Sequence, residues 1–239
     1  ALPICEVLGI AGLMGSGRSE LLRSLVGALP GSREGSVRYR GKPVHWNSII
    51  EAMNDGVSFV PEDRKKEGLF LDLGVGFNFT VSILDSLVNR VKWIDFDREK
   101  QRIEELRRHL RVKFADATQP IKSLSGGNQQ KVLLGKMVAR SPKLLMLDEP
   151  TRGIDVGAKG EIYEVIGELA KSGVGVIVVS SELPEILALC HRVLVLREGR
   201  CVADLANRGL TQETILTHAA RAGAGVAPSG GSTLNEVPV

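Results

Sequence analysis

Two short stretches of this chain combine residue types and spacings that handle phosphate. Gly12-Leu13-Met14-Gly15-Ser16-Gly17-Arg18-Ser19 follows an apolar run at residues 7–11 and opens a segment, residues 20–26, with helical spacing. It fits G-x-x-x-x-G-K-[ST] at every fixed position but one, Arg18 standing where the lysine belongs. Backbone N–H groups around Gly15, Ser16 and Gly17 would cradle phosphate oxygens, the cation would reach the terminal phosphates, and the Ser19 hydroxyl would ligate Mg²⁺. Gly12, Gly15, Ser16, Gly17, Arg18, Ser19 and Glu20 are therefore the candidate nucleotide contacts. A glycine-rich turn with no ligand would show the same letters.

The second stretch is Leu144-Leu145-Met146-Leu147-Asp148-Glu149-Pro150. Four apolar residues and then two carboxylates describe a central buried strand that delivers acids at its C-terminal edge, where open α/β sheets bind ligands. Asp148 is placed to hold Mg²⁺, and Glu149 to orient the water that attacks a γ-phosphate.

A third stretch, Leu124-Ser125-Gly126-Gly127-Asn128-Gln129-Gln130-Lys131, runs into an amphipathic helix. Adjacent glycines let backbone approach a ligand without a Cβ in the way, and the helix start offers free N–H groups and a positive dipole end. Ser125 would cap that helix in any case, so the octapeptide alone leaves plain cap and anion site both open.

The elements that must position these groups alternate strand and helix. Strands are expected at 7–11, 57–60, 144–148, 174–179 and 193–196, the last turning at Glu198-Gly199 into Cys201-Val202. Helices are expected after Gly17, after the Ser48-x-x-Glu51 capping box, after Ser125, at 156–172, at 182–190 and at 211–220. Residues 34–44 read as a hairpin turning at Gly41-Lys42. Between 78 and 121 the texture turns helical, with helices at 80–89 and 97–110, the latter capped by Asp97. The charge run Pro61-Glu62-Asp63-Arg64-Lys65-Lys66-Glu67-Gly68 reads as a solvated loop.

Composition narrows the function classes. The chain has 239 residues, is 43% hydrophobic and 25% charged, and carries a net charge of +3, ordinary for a globular protein and with no basic stripe for nucleic acid. Cys5, Cys190 and Cys201 have no metal-type spacing and read as buried thiols of a reducing compartment. No apolar run approaches the roughly 18–20 residues of a membrane span. The chain starts with Ala1 and enters a strand almost at once, as a cut fragment would.

In this order the three stretches, with Ile154-Asp155 after the acidic strand, resemble an ATP-binding cassette (ABC) ATPase from residue 7 to about residue 220. Pro61-Glu62-Asp63-Arg64-Lys65, the Leu124 to Lys131 octapeptide and Ser180-Ser181-Glu182-Leu183-Pro184-Glu185 look more narrowly like the second cassette of double-cassette ATPases of bacterial ribose, xylose and galactose importers. The resemblance implies an α/β P-loop NTPase fold with a parallel central sheet. One nucleotide-binding domain would span 1–220, with core 1–62 and 122–205, an inserted helical subdomain at about 63–121, and a disordered tail at 221–239.

It further implies ATP and Mg²⁺ as cofactors, and head-to-tail pairing with a second cassette, the N-terminal half of the same polypeptide. Ser125, Gly126, Gly127 and Asn128 would then contact the γ-phosphate held by that partner. Glu62 would take the place of the usual glutamine linking γ-phosphate and Mg²⁺ to the helical subdomain, which would dock membrane permease subunits. Asp155 would lie in the loop crossing the dimer interface. A periplasmic sugar-binding protein would act indirectly, no nucleic acid is expected, and the location would be peripheral, on the cytoplasmic face of the inner membrane.

Three departures set this chain apart. Arg18 keeps the charge but is planar and bulkier than lysine. Ser181 occupies the position of the usual γ-phosphate histidine. Residues 1–11 carry no aromatic ring to stack on adenine. Together they imply slow turnover at this half's own loop, with the octapeptide completing a faster site on the partner. A non-hydrolytic clamp that uses ATP only to hold a dimer shares these residues, and a non-transport ABC ATPase of DNA maintenance is a further alternative, though the zinc-binding cysteines and long coiled coils of that class are absent from this sequence.

Overall fold

The computed structural model describes residues 6–31, 33–89 and 93–220. Cys5 and the tail expected at 221–239 lie outside the described residues.

A six-stranded sheet carries the chain in the order β4 (Val57–Val60), β5 (Leu144–Asp148), β6 (Gly175–Val179), β1 (Val7–Gly12), β7 (Arg192–Arg197), β8 (Arg200–Ala206). Neighbours from β4 through β7 are parallel, and β8 closes the edge as the antiparallel arm of a hairpin. Apolar runs of this kind suit strands buried on both faces. In β1, Leu8 and Ile10 pack with Leu22, Val26 and Trp46 on one side, while Val7 and Ala11 join Phe79, Ile162 and Ile186 on the other. Because the strands run the same way, Gly12, Val60, Asp148 and Val179 all end at one edge.

Helix α1 (Arg18–Leu25) leaves β1, a small hairpin of β2 (Val37–Tyr39) and β3 (Lys42–Val44) follows, and α2 (Ile49–Asn54) leads into β4. Ser48 Oγ caps α2 by accepting from the Glu51 amide at 3.3 Å, while Glu51 Oε2 reaches one residue further back than a capping box does and accepts from the Asn47 amide at 2.8 Å.

Past β4 the structure corrects three expectations. The charge run is solvated at Lys65, Lys66 and Glu67 but is not a loop: residues 64–68 form a π-helical turn capped by Asp63, and Arg23 forks onto Glu67 at 2.8 and 3.0 Å. The helix expected at 80–89 lies earlier, as α3 (Val75–Thr80), and residues 81–87 tighten into a 3₁₀ helix. Gly76 and β-branched Val75 and Thr80 make this a weak helix by propensity, so tertiary contacts decide it. Asn78 is fully buried, bonding the backbone of Phe70 and Gly74, and Phe79 lies so close to Gly135 that a Cβ there would meet it at 2.3 Å. Finally, α4 (Phe96–His109) is capped by Asp95, which accepts from the Arg98 amide at 3.1 Å, and Asp97 sits in the first turn instead.

The chain returns to the sheet through α5 (Gly126–Val138), α6 (Val156–Lys171), α7 (Leu183–Leu189) and α8 (Gln212–Ala220). Lys131 of α5 is buried, its ammonium held by Glu161 of α6 and the carbonyl of Arg111. Arg111, just past α4, pairs with Glu164 and Glu168 of α6. Of the cysteines, Cys190 is buried but Cys201 is exposed, on an edge strand, contrary to the expectation of buried thiols. No described helix is long and apolar enough to cross a membrane.

Candidate functional site

The loop between β1 and α1 is shaped by its glycines. A Cβ on Gly12 would meet the Leu196 carbonyl at 2.4 Å and Ser16 Oγ at 2.5 Å, while Gly15 and Gly17 hold φ of 78° and 92°, left-handed values suited to glycine. Gly17 caps α1 without a side chain, so the first-turn N–H groups of that helix keep their donors for a ligand. Ser16 is buried and its hydroxyl has no partner. Glu20 is exposed on the first turn of α1.

Ser19 and Asp148 meet directly: the Ser19 hydroxyl donates to Asp148 Oδ1 at 2.8 Å. Asp148 is fully buried and its Oδ2 has no partner. Burial pushes this carboxyl above the usual carboxylate range, with the Ser19 hydrogen bond, Arg23 and Arg18 countering. A hydroxyl and a carboxylate with a free oxygen suit a hard cation such as Mg²⁺, which takes few protein ligands beside phosphate. No group of three or more His, Cys, Asp and Glu gathers among the described residues.

Arg18 does not reach into its own loop. It is buried, its Nη1 donates to the Ser180 carbonyl at 2.6 Å, and its Nη2 lies 3.9 Å from Glu149 Oε1. The other oxygen of Glu149 accepts from the Ser181 hydroxyl at 3.0 Å. Glu149 also stands at φ 48°, costly for a residue with a Cβ, and its amide is held by the Val179 carbonyl at 2.8 Å. Residues 12–19, Asp148, Glu149 and Ser181 thus form one cluster at the C-terminal edge of the sheet.

Ser125, Gly126, Gly127, Asn128, Asp155 and Glu62 belong to a second cluster. Ser125 caps α5, accepting from the amide and side chain of Asn128, and Asn128 Oδ1 accepts from the Lys113 amide at 2.9 Å. Gly127 is required by packing, since a Cβ there would stand 2.5 Å from that of Ala158. Gly126 is roomier, its nearest neighbours being Arg64 Nη2 at 3.2 Å and the Gly153 carbonyl at 3.4 Å. Asp155 caps α6, accepting from the Ala158 amide at 2.9 Å. Glu62 pairs with Arg152. No hydrogen bond or ion pair joins residues 125–128 to residues 12–19 among the described residues.

Three participants go unnoticed in the sequence. Arg64 donates to the carbonyls of Arg152 and Gly153. Arg23 acts on Asp148 from the next turn of α1. Glu185, fully enclosed on α7, accepts from the Thr151 hydroxyl at 2.9 Å and is pushed above the usual carboxylate range by burial. Arg64 and Glu185 left a trace, as members of the 61–65 and 180–185 motifs, and Arg23 left none. A cavity of about 580 Å³ lies between Arg102, His109, Lys143 and Val174 and shares no residue with either cluster.

A glycine loop between strand and helix, a serine on a buried aspartate at the next-but-one strand, and a parallel sheet define a P-loop nucleoside triphosphatase. Solved structures agree on the fold: a nucleotide-free ATP-binding cassette from an ABC transporter matches with a TM-score of 0.75 at 21% identity, covering 90% of this chain and 86% of that one. The cassette MJ0796, in a dimeric post-hydrolysis state with ADP and Pi, matches with a TM-score of 0.72 at 21% identity, covering 88% and 89%. Residues 2–152 match the family model described as ABC transporter. The chain belongs to the ABC transporter ATPase family. Among curated relatives, the xylose import ATP-binding protein XylG of Pseudomonas fluorescens (strain Pf0-1) is 50% identical over 214 residues, 90% of this chain and 41% of that protein. XylG of Pectobacterium atrosepticum is 48% identical over 216 residues, 90% and 42%. The chain therefore spans about two fifths of the length of the relatives it matches.

Proposed function

We propose that this chain is the second cassette of a double-cassette ATPase that couples ATP binding and hydrolysis to uptake of a monosaccharide, xylose being the sugar named for its relatives. The observation that carries the reading is the separation of the two clusters: an anion-ready helix start at residues 125–128 has no bond to the chain's own phosphate loop. A partner cassette facing head to tail supplies the missing phosphate, and this chain's loop supplies ATP to the partner's equivalent helix.

In its own half, Gly15, Ser16 and Gly17 bind phosphate through backbone amides and the start of α1. Ser19 and Asp148 would hold Mg²⁺, which would supply neutralisation of phosphate charge there. Glu149 would orient the attacking water and accept its proton as the bond from the terminal phosphorus to the ADP oxygen breaks and ADP leaves. Its contacts with Arg18 at 3.9 Å and the Ser181 hydroxyl at 3.0 Å restrain the carboxylate from turning toward that water. Arg18 likewise has to leave the Ser180 carbonyl to meet a phosphate. This half therefore binds ATP and turns it over slowly, which also supports the second reading, a clamp that holds the dimer while chemistry proceeds on the partner.

The helical segment between β4 and α5 serves as the inserted subdomain, and its exposed Phe70, Leu73 and Phe77 offer apolar surface to a permease. The whole assembly sits peripherally on the cytoplasmic face of the inner membrane and receives sugar from a periplasmic binding protein. Reconstituting the intact protein with its permease in liposomes tests this. ATP hydrolysis is expected to rise when xylose-loaded binding protein is added; hydrolysis indifferent to permease and sugar overturns the transport reading.

A further inference from the structure

Arg64 stands where three segments meet. It opens the π-helical turn after β4, its Nη1 donates to the Arg152 carbonyl at 2.8 Å, and its Nη2 donates to the Gly153 carbonyl at 3.3 Å. The same Nη2 lies 3.2 Å from where a Cβ on Gly126 would stand, at the first residue of α5. One planar group, carried by the turn that follows β4, thus meets the loop leading to Asp155 and the helix start bearing Ser125.

No carboxylate among the described residues forms an ion pair with it. Glu62 is taken by Arg152, and Asp63 Oδ1 accepts from the amides of Lys65 and Lys66. Its Nε is buried without a partner, and burial holds the guanidinium below its ordinary range, with Asp63 only countering. A partly buried cation beside the positive end of a helix is unfavourable on charge alone. What keeps it there is its fork, which fits two successive carbonyls as a single ammonium cannot.

We propose that Arg64 is a positioning residue that locks the start of α5 and the loop at 152–155 into one unit and ties that unit to the end of β4. Ser125, Gly126 and Asp155 then meet a partner's nucleotide together, in step with Glu62. The inference rests on the trans-acting reading above.

The test is steady-state ATP hydrolysis by the intact protein with Arg64→Lys, Arg64→Ala and, as a separate control of the trans-acting reading, Ser125→Arg. Both Arg64 variants are expected to lose on the order of tenfold in kcat, as a misplaced but intact site does, with KM for ATP within about twofold and an unchanged melting temperature. Lysine fails to rescue because the fork, and not the charge, does the positioning. Normal turnover in Arg64→Lys overturns the proposal, as does a loss of kcat in Arg64→Ala matched by loss of ATP affinity and of melting temperature. Normal turnover in Ser125→Arg refutes the trans-acting reading itself, whereas an inactive Ser125→Arg beside a normal Arg64→Lys refutes the role of Arg64 alone.

Discussion

Ser19 Oγ donates to Asp148 Oδ1 at 2.8 Å, while Asp148 Oδ2 stays buried without a partner. One oxygen of a fully enclosed carboxylate is satisfied and the other is not, a cost in the protein without ligand and a preformed half-shell for a cation. Two segments of the chain, 129 positions apart, come together in that bond.

Asp148→Asn is therefore expected to stabilise the protein without nucleotide. Burial raises the folded-state value of this carboxyl above its unfolded one, so folding favours the protonated form. Its contribution is fully present below the ordinary carboxylate range and is lost as pH rises through the raised folded value. At pH 7 the asparagine variant should melt higher, by about 2–4 °C for each kcal/mol gained, and the advantage should fade on acidification. Mg²⁺ with ATP should stabilise the wild type and not the variant. A lower melting point at pH 7 for Asp148→Asn contradicts the account.

The adjacent glycines of the 125–128 stretch should separate by substitution. Gly127→Ala places a Cβ 2.5 Å from that of Ala158 and should cost about 1–3 kcal/mol of stability, as overpacking does. Gly126→Ala meets only a flexible guanidinium and one carbonyl beyond 3 Å, so it should fold normally yet turn over ATP poorly in the intact protein. Urea denaturation of both variants checks this; equal losses of stability would show that the two glycines serve packing alike.

Cys190 and Cys201 should differ toward alkylating reagents. Burial holds the Cys190 thiol up at about 12, so hardly any thiolate exists at pH 8, whereas Cys201 is exposed on its edge strand. Mass spectrometry after iodoacetamide treatment should find the label on Cys201 first and on Cys190 only after denaturation. Early modification of Cys190 in the native protein contradicts the packing described.

How much of this is legible in the sequence depends on how local each feature is. The loop at 12–19 and the acids at 148 and 149 can be placed because a strand, a turn and a helix follow one another within a few residues, each with its own pattern. The mostly parallel sheet follows from apolar runs alternating with helical spacing. The helix at Val75–Thr80 cannot be placed this way, since it exists by packing Phe79 against Gly135, far along the chain, and by side-chain bonds from Asn78 to the backbone of Phe70 and Gly74, which no periodicity shows. The same holds for side-chain direction. Arg18 reads as a phosphate ligand from its position, yet it turns to the Ser180 carbonyl, 162 residues away. The charge at residues 61–68 reads as solvated because composition cannot show that Glu62 and Arg64 both find the loop after Pro150.

Arg18→Lys should test that direction. A lysine cannot fork between the Ser180 carbonyl and Glu149, so it should free the glutamate and raise single-turnover hydrolysis at this half's loop by severalfold or more. Unchanged or slower hydrolysis with intact ATP binding would show that Arg18 is not the restraint.

The central claim is that residues 125–128 complete a site on another cassette while Glu149 works slowly in its own. The most direct measurement compares steady-state ATP turnover of the intact protein carrying Ser125→Arg with that carrying Glu149→Gln. The account predicts near-complete loss for Ser125→Arg and a clearly smaller loss for Glu149→Gln. Equal and near-complete loss from both would contradict the asymmetry, and normal turnover with Ser125→Arg would contradict the trans-acting site altogether.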